Sequence, residues 1–148
     1  MKRAGFTMIE LIFVIVILGI LAAVAIPKLS ATRDDANIAK MATNAATAVS
    51  DIGAYYTSQG SFANWSSMTN VPLETSAGTP ITSTTAASTR VLLTDGTNNC
   101  LTFDLNSTGG SLTVAAPGTL IGNICTTVKS KVANLLKTHT FGGTGVSY

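Results

Sequence analysis

A residue without a side chain, Gly5, stands directly before Phe6 and a long apolar run, an order that suits a peptidase working at a membrane face. The missing Cβ lets a protease approach the backbone closely. A secretory signal carries its small-residue cut site after the apolar core. Here Gly5 precedes the core, so hydrolysis of the Gly5–Phe6 bond would leave the run on the mature chain. Four residues on, Glu10 places a carboxylate at the head of a stretch in which every residue from Leu11 to Ile26 is apolar or Gly. A charge at the centre of a bilayer costs about 2.5–3.5 kcal/mol on insertion scales, so one retained in such a run is a functional candidate in need of a partner.

The other chemistry-bearing residues argue against catalysis. The single histidine, His139, has no Ser, Cys or carboxylate at a recognisable motif spacing. Asp34 and Asp35 are adjacent and diverge by about 100° on a helix, so they read as a solvated face and not as an acid/base pair. Two cysteines 25 positions apart, Cys100 and Cys125, with one distant His do not make a zinc site. They read either as one disulfide or as two buried thiols. Asp95-Gly96-Thr97-Asn98-Asn99 offers oxygen ligands to calcium, but with a single carboxylate a hairpin turn is the simpler reading. No metal and no cofactor is expected. Asn64-Trp65-Ser66 and Asn106-Ser107-Thr108 match the N-x-S/T acceptor pattern for glycosylation, although in a chain this rich in Asn, Ser and Thr a chance match is the simpler reading. Asn106 also has Asp104 two residues before it, the extended signature that some bacterial oligosaccharyltransferases require, and it falls at an expected exposed turn.

At 148 residues the chain has room for one small domain and a long projecting element. A net charge of +2 with no Lys/Arg cluster gives no reason to expect nucleic acid as a partner. Lys129 and Lys131 would point to different sides of a helix. Phe6 to Ile26 would span about 31 Å as a helix, the thickness of a bilayer core. Pro27 follows and marks a kink or weak point. Ile38, Met41, Ala45, Val49, Ile52 and Tyr56 then recur at spacings of three and four, the apolar stripe of a helix that packs a domain.

Residues 57–89 are Ser/Thr-rich with Gly and Pro breakers and read as a connecting loop, with Phe62, Trp65 and Met68 tucking part of it onto the body. Three strands are expected at 90–94, 100–105 and 111–115, separated by Asp95-Gly96 and the Asn106-to-Gly110 turn. In the middle one, alternation sets Leu101, Phe103 and Leu105 against Cys100, Thr102 and Asp104. A helix is expected over 126–137, then a Gly-rich tail over 141–148 that ends in a strand. The class is α+β: a long N-terminal helix on a small antiparallel sheet.

The run Gly5, Phe6, Thr7, Glu10 and Leu11, continued by Gly19, Ala22, Ala23, Ala25 and Pro27, resembles the N-terminus of type IV prepilins and of type II secretion pseudopilins. The likeness covers roughly the first third of the chain. It implies the pilin ladle fold and a five-part layout. Residues 1–5 are a leader, 6–27 a transmembrane and filament-core segment, 28–56 an amphipathic half-helix, 57–89 a loop, and 90–148 a sheet with a C-terminal disulfide region. It also implies cleavage between Gly5 and Phe6 by a prepilin peptidase, N-methylation of Phe6, and docking of Glu10 against the Phe6 amine of a neighbouring subunit or of its own chain. Gly19 would allow close helix packing and Pro27 would give the weak point.

The family's C-terminal disulfide loops favour the Cys100–Cys125 pairing. Basic residues flank the span on both sides, so the positive-inside count leaves its orientation open. The leader and the cysteines place the body beyond the inner membrane. The expected partners are copies of the chain, the peptidase, the membrane and an inner-membrane assembly platform. The expected function is a structural subunit of a type IV pilus-like filament. The alternatives are a pseudopilin of a secretion or DNA-uptake machine and a membrane-anchored minor pilin that binds.

Overall fold

A backbone lying in lipid has no water to bond, and an α-helix satisfies each N–H and C=O within itself. In a computed structural model, such a helix, α1, runs from Met8 to Gln59. The structure describes residues 5–119 and 122–142; the leader residues 1–4 and most of the expected tail strand, 143–148, lie outside them. The chain divides into two compact units, one ending at Ala36 and the other beginning at Asn37.

In the first unit every described residue from Gly5 to Ala36 is exposed, including all the large apolar side chains. This helix is long and apolar enough to cross a membrane. Pro27 lies inside α1, which continues through it. One turn further on, the Thr32 hydroxyl donates to the Lys28 carbonyl at 2.9 Å, a local side-chain bond of the kind that often bends helices.

The second unit begins where α1 acquires a buried face. Met41, Ala45, Ala48 and Ile52 are buried at spacings of four, three and four. Ile38 and Val49 of the expected stripe pack at its margin, and the fully buried Ala48 replaces Val49 at its centre. Gly60 ends the helix at φ +73°, its N–H bonded to the Tyr56 carbonyl at 2.8 Å. This is a left-handed C-terminal cap that a side chain would strain.

The stretch after α1 holds more structure than a connecting loop. A short helix, α2 (Trp65–Met68), buries Trp65 completely and hydrogen-bonds its indole N–H to the Thr89 carbonyl at 2.9 Å. Thr69, buried just beyond, donates its hydroxyl to Asp51 of α1 at 2.8 Å. A two-residue strand, β1 (Glu74–Thr75), then opens the sheet.

Five strands pair antiparallel in sequence order: β1, β2 (Val91–Thr94), β3 (Asn99–Asn106), β4 (Ser111–Ala115) and β5 (Thr138–Thr140). The three expected strands are β2, β3 and β4. The two others sit at the edges, where a two-residue strand and the polar Thr138-His139-Thr140 carry no apolar period. Val91, Leu93, Leu101, Phe103, Leu112 and Val114 form the sheet's share of one core with Trp65, Leu73, Val128 and the buried face of α1.

The pairing of β2 with β3 shifts register at one place. Leu93 pairs with Leu101 but Thr94 pairs with Asn99, which leaves Cys100 as the extra residue of a β-bulge. A bulge re-aims the side chain it carries. Cys100 is therefore buried beside Leu101 instead of sharing the face of Thr102 and Asp104. It is bonded to Cys125 in the first turn of α3 (Asn123–Lys131), with the two Cα atoms 4.6 Å apart. The helix expected over 126–137 thus starts three residues earlier and stops at Lys131, followed by a 3₁₀ turn, Ala133–Leu135.

The last described residues close the unit. Phe141 packs edge-on to Phe62 and near Tyr56, with ring centroids 6.4 and 6.3 Å apart, and Tyr56 and Phe62 are 4.6 Å apart. The backbone N–H of Phe141 donates to the Gly110 carbonyl at 2.9 Å.

Candidate processing and assembly site

Gly5, Phe6 and Thr7 precede the first turn of α1 in irregular, exposed backbone, and the Phe6 ring is 89% exposed. A protease needs an accessible segment outside regular structure, and the exposed backbone of Gly5 to Thr7 would offer one. The fold itself does not ask for glycine at position 5. Its φ is not positive, and a Cβ built there would meet nothing within 4 Å. The same holds for Gly19, which faces open space. Contrast Gly53, where an added Cβ would lie 2.8 Å from the Phe141 ring. No contact among the described residues asks for glycine at either position.

Glu10 has a partner within its own chain. Its carboxylate Oε2 accepts from the Thr7 backbone N–H at 2.8 Å and from the Thr7 hydroxyl at 2.6 Å, while the Glu10 N–H donates to the Thr7 Oγ1 at 3.3 Å. Thr7 is the N-cap residue of α1 and Glu10 its third helical position. This reciprocal arrangement is a capping box, which satisfies helix-end donors that have no partner inside the helix. The carboxylate also lies at the positive end of the helix dipole. Thr7 is the residue that sequence reasoning left without a role, although Thr-x-x-Glu ahead of an apolar run is the box's own signature. The box spans only residues beyond the Gly5–Phe6 bond, so cleavage there would preserve it. The amine created at Phe6 would sit one residue from the cap.

The remaining candidates are structural in their surroundings. Asp95, Cys100 and Cys125 bring ligand atoms within 4.8 Å of one another, the one such cluster among the described residues. Both sulfurs are engaged in the disulfide. The Asp95 carboxylate accepts from the Thr97 and Asn98 N–H groups at 2.9 and 2.6 Å and from the Asn98 side chain at 3.2 Å. It is the clasp of the β2–β3 hairpin, whose Gly96 has φ +95°. Partial burial by itself would raise the Asp95 pKa; the hydrogen bonds from Asn98 and Thr97 outweigh it and hold the carboxyl below its ordinary value. His139 touches the Leu135 carbonyl through Nε2 at 3.0 Å, and Asp34 and Asp35 are exposed.

Against known proteins, the family model for the prokaryotic N-terminal methylation motif matches residues 1–26. No curated protein and no solved structure matches the chain. The matched stretch contains Gly5, Phe6, the Thr7–Glu10 box and Gly19, and ends one residue before Pro27. Residues 1–26 therefore carry the prepilin signature shared by type IV pilins and pseudopilins.

Proposed function

We propose that this chain is a structural subunit of a type IV pilus-like filament. Its precursor is held in the inner membrane by α1, with the second unit on the periplasmic side. A prepilin peptidase cuts between Gly5 and Phe6, the new Phe6 amine is methylated, and an assembly platform extracts the subunit into a polymer of identical copies at the surface or in the periplasm.

The observation that carries this reading is the methylation motif laid on a helical stretch whose large apolar side chains, from Phe6 to Leu29, are all exposed. So long an exposed apolar stretch needs lipid before assembly or other helices after it. Small residues such as Gly19 let helices approach closely in an apolar bundle. Glu10 supplies the one carboxylate of that segment, and its proposed docking partner is the Phe6 amine of a neighbouring copy. The disulfide suits a subunit that works in an oxidising compartment.

Mass analysis of the protein purified from its host tests the processing. The expected chain begins at Phe6 and is about 14 Da heavier at that residue through one methyl group. A chain that begins at Met1 or is cut beyond Ile26 overturns the reading. Electron microscopy of material sheared from cells tests the assembly: fibres containing this chain support a pilus. Processed chain without surface fibres, but required for secretion or DNA uptake, assigns it instead to a pseudopilin.

A further inference from the structure

Two sequons compete for attention in the second unit, and the fold treats them differently. At Asn64-Trp65-Ser66 all three residues are committed. The Asn64 Nδ2 donates to the Ser83 carbonyl at 2.6 Å, Trp65 is fully buried, and the Ser66 hydroxyl donates to the Thr82 carbonyl at 3.1 Å. Glycosylation there would break the Asn64 bond and displace a core tryptophan.

Asn106-Ser107-Thr108 lies at the tip of the β3–β4 hairpin, where Asn106 pairs with Ser111 as the last rung, and all three residues are exposed. The Asn106 side-chain carbonyl accepts from the Thr108 and Gly109 N–H groups at 3.1 and 3.2 Å. This Asx-type turn fixes the amide and leaves its nitrogen without a partner among the described residues. The Ser107 and Thr108 hydroxyls likewise make no hydrogen bond among those residues. Two positions earlier, Asp104 offers a half-buried carboxylate, bonded to the Arg90 guanidinium at 2.7 Å.

We infer that Asn106 is an N-glycosylation acceptor, read through the Thr108 hydroxyl and the Asp104 carboxylate by a membrane oligosaccharyltransferase. The donor is a polyprenyl-pyrophosphate-linked oligosaccharide. The Asn106 Nδ2 forms a bond to the anomeric carbon, the bond from that carbon to the pyrophosphate oxygen breaks, and polyprenyl pyrophosphate leaves with the electron pair. One amide proton passes to solvent, and nothing is oxidised or reduced. In the cell the inference rests on the outward orientation of the second unit proposed above.

The test therefore removes the compartment. Purified full-length chain in detergent is incubated with a purified bacterial oligosaccharyltransferase that reads a carboxylate at the −2 position, together with its lipid-linked oligosaccharide. Intact and peptide masses are then recorded. The expected result is one oligosaccharide on the Asn106 peptide, retained in Asn64→Gln and lost in Asn106→Gln, Thr108→Val and Asp104→Ala. Arg90→Ala frees Asp104 from an exposed ion pair and is expected to raise the rate by no more than about fivefold. No added mass on the wild-type chain, or a gain that persists in Asn106→Gln, overturns the inference whatever the orientation. Alkylation of chain taken from the native envelope judges orientation separately: thiols at Cys100 and Cys125 that label without reductant would count against the outward body alone.

Discussion

The two units of this chain answer the same physical problem, apolar surface in water, in opposite ways. From Asn37 onward the apolar residues find one another: α1 contributes Met41, Ala45, Ala48 and Ile52 to a core completed by Trp65, Phe103, Leu112 and Val128. Among the described residues up to Ala36 none is buried, and Gly5 and Gly19 have open space where a side chain would go. A self-sufficient unit can change its sequence freely so long as its core still packs. A unit whose contacts lie in lipid, in a peptidase or in other copies answers to all of them at once. It is the first unit's stretch, 1–26, that matches a family model.

The largest expected effect falls on the docking proposed between the first unit and other copies. Glu10→Val removes both the capping box and the charge, whereas Glu10→Gln keeps an acceptor for the Thr7 N–H and removes only the charge. Leaving a buried amine without its counter-charge costs about 3–5 kcal/mol, roughly hundreds-fold or more per docking step. Both variants are expected to insert and to be cleaved normally, as band shift and membrane fractionation would show, and to yield scarce filaments. Wild-type filament numbers from Glu10→Gln would reduce Glu10 to a helix cap.

The second unit should respond to changes that leave the first untouched. Replacing Cys100 and Cys125 together by Ser opens a 25-residue separation and should lower stability by about 3.5 kcal/mol on the chain-entropy estimate. Urea titration of the full chain in detergent, followed by Trp65 fluorescence, reads this directly, because Trp65 is the one tryptophan and is fully buried in this unit. Membrane insertion should be unchanged. An unaltered midpoint would mean that the bulge and α3 hold together without the bond.

Gly110 gives a smaller and more local break. Its φ is +54°, and a Cβ there would run into the Tyr56 hydroxyl and ring. Gly110→Ala should cost about 1–3 kcal/mol through strain and overpacking. Adding Tyr56→Phe should recover part of that loss, since the nearest clashing atom is removed. A double variant no better than the single one would locate the whole cost in the backbone.

Thr7→Val tests the first unit's own internal bond. Loss of an N-cap costs about 1 kcal/mol, so amide exchange at Met8 to Leu11 in detergent should quicken by about fivefold while the Trp65 transition stays in place. Unchanged exchange would show that the box contributes nothing once the helix end is in a detergent or lipid interface.

How far the sequence could be read follows the same division. The apolar run is legible because it is what lipid demands, and Glu10 because a charge is what lipid resists. The stripe on α1 and the strands β3 and β4 are legible because burial on one face imposes a period, and β2 because a short apolar run stops at the turn Asp95-Gly96. Cys100 was placed on the wrong face because a bulge has no signature in alternation, and β1 and β5 were missed because edge strands this short and polar owe their pairing to neighbours. Thr7 was a different kind of miss. Its capping spacing was present in the sequence, but an apolar run with a carboxylate invites a search for distant partners before near ones.

The smallest expected effect returns to the second unit, at the hairpin beside the disulfide. Hydrogen bonds from Asn98 and Thr97 hold the Asp95 pKa below its ordinary value. A carboxyl with a lower pKa folded than unfolded contributes fully above the unfolded value, about 3.9, and loses that contribution as the pH falls through the folded value. Asn at this position still accepts through its carbonyl oxygen but carries no charge. Asp95→Asn should therefore be less stable than the parent at pH 7, by about 1 kcal/mol or less for so exposed a turn. The gap should begin to narrow as the pH drops below about 4 and close only once the pH has passed below the lowered folded-state value, where both side chains are neutral. Urea midpoints by Trp65 fluorescence between pH 7 and pH 2.5 measure it. A gap that stays constant across that range would mean that shape, not charge, makes Asp95 the clasp of its hairpin, and no titration in this turn would then enter the stability of the unit.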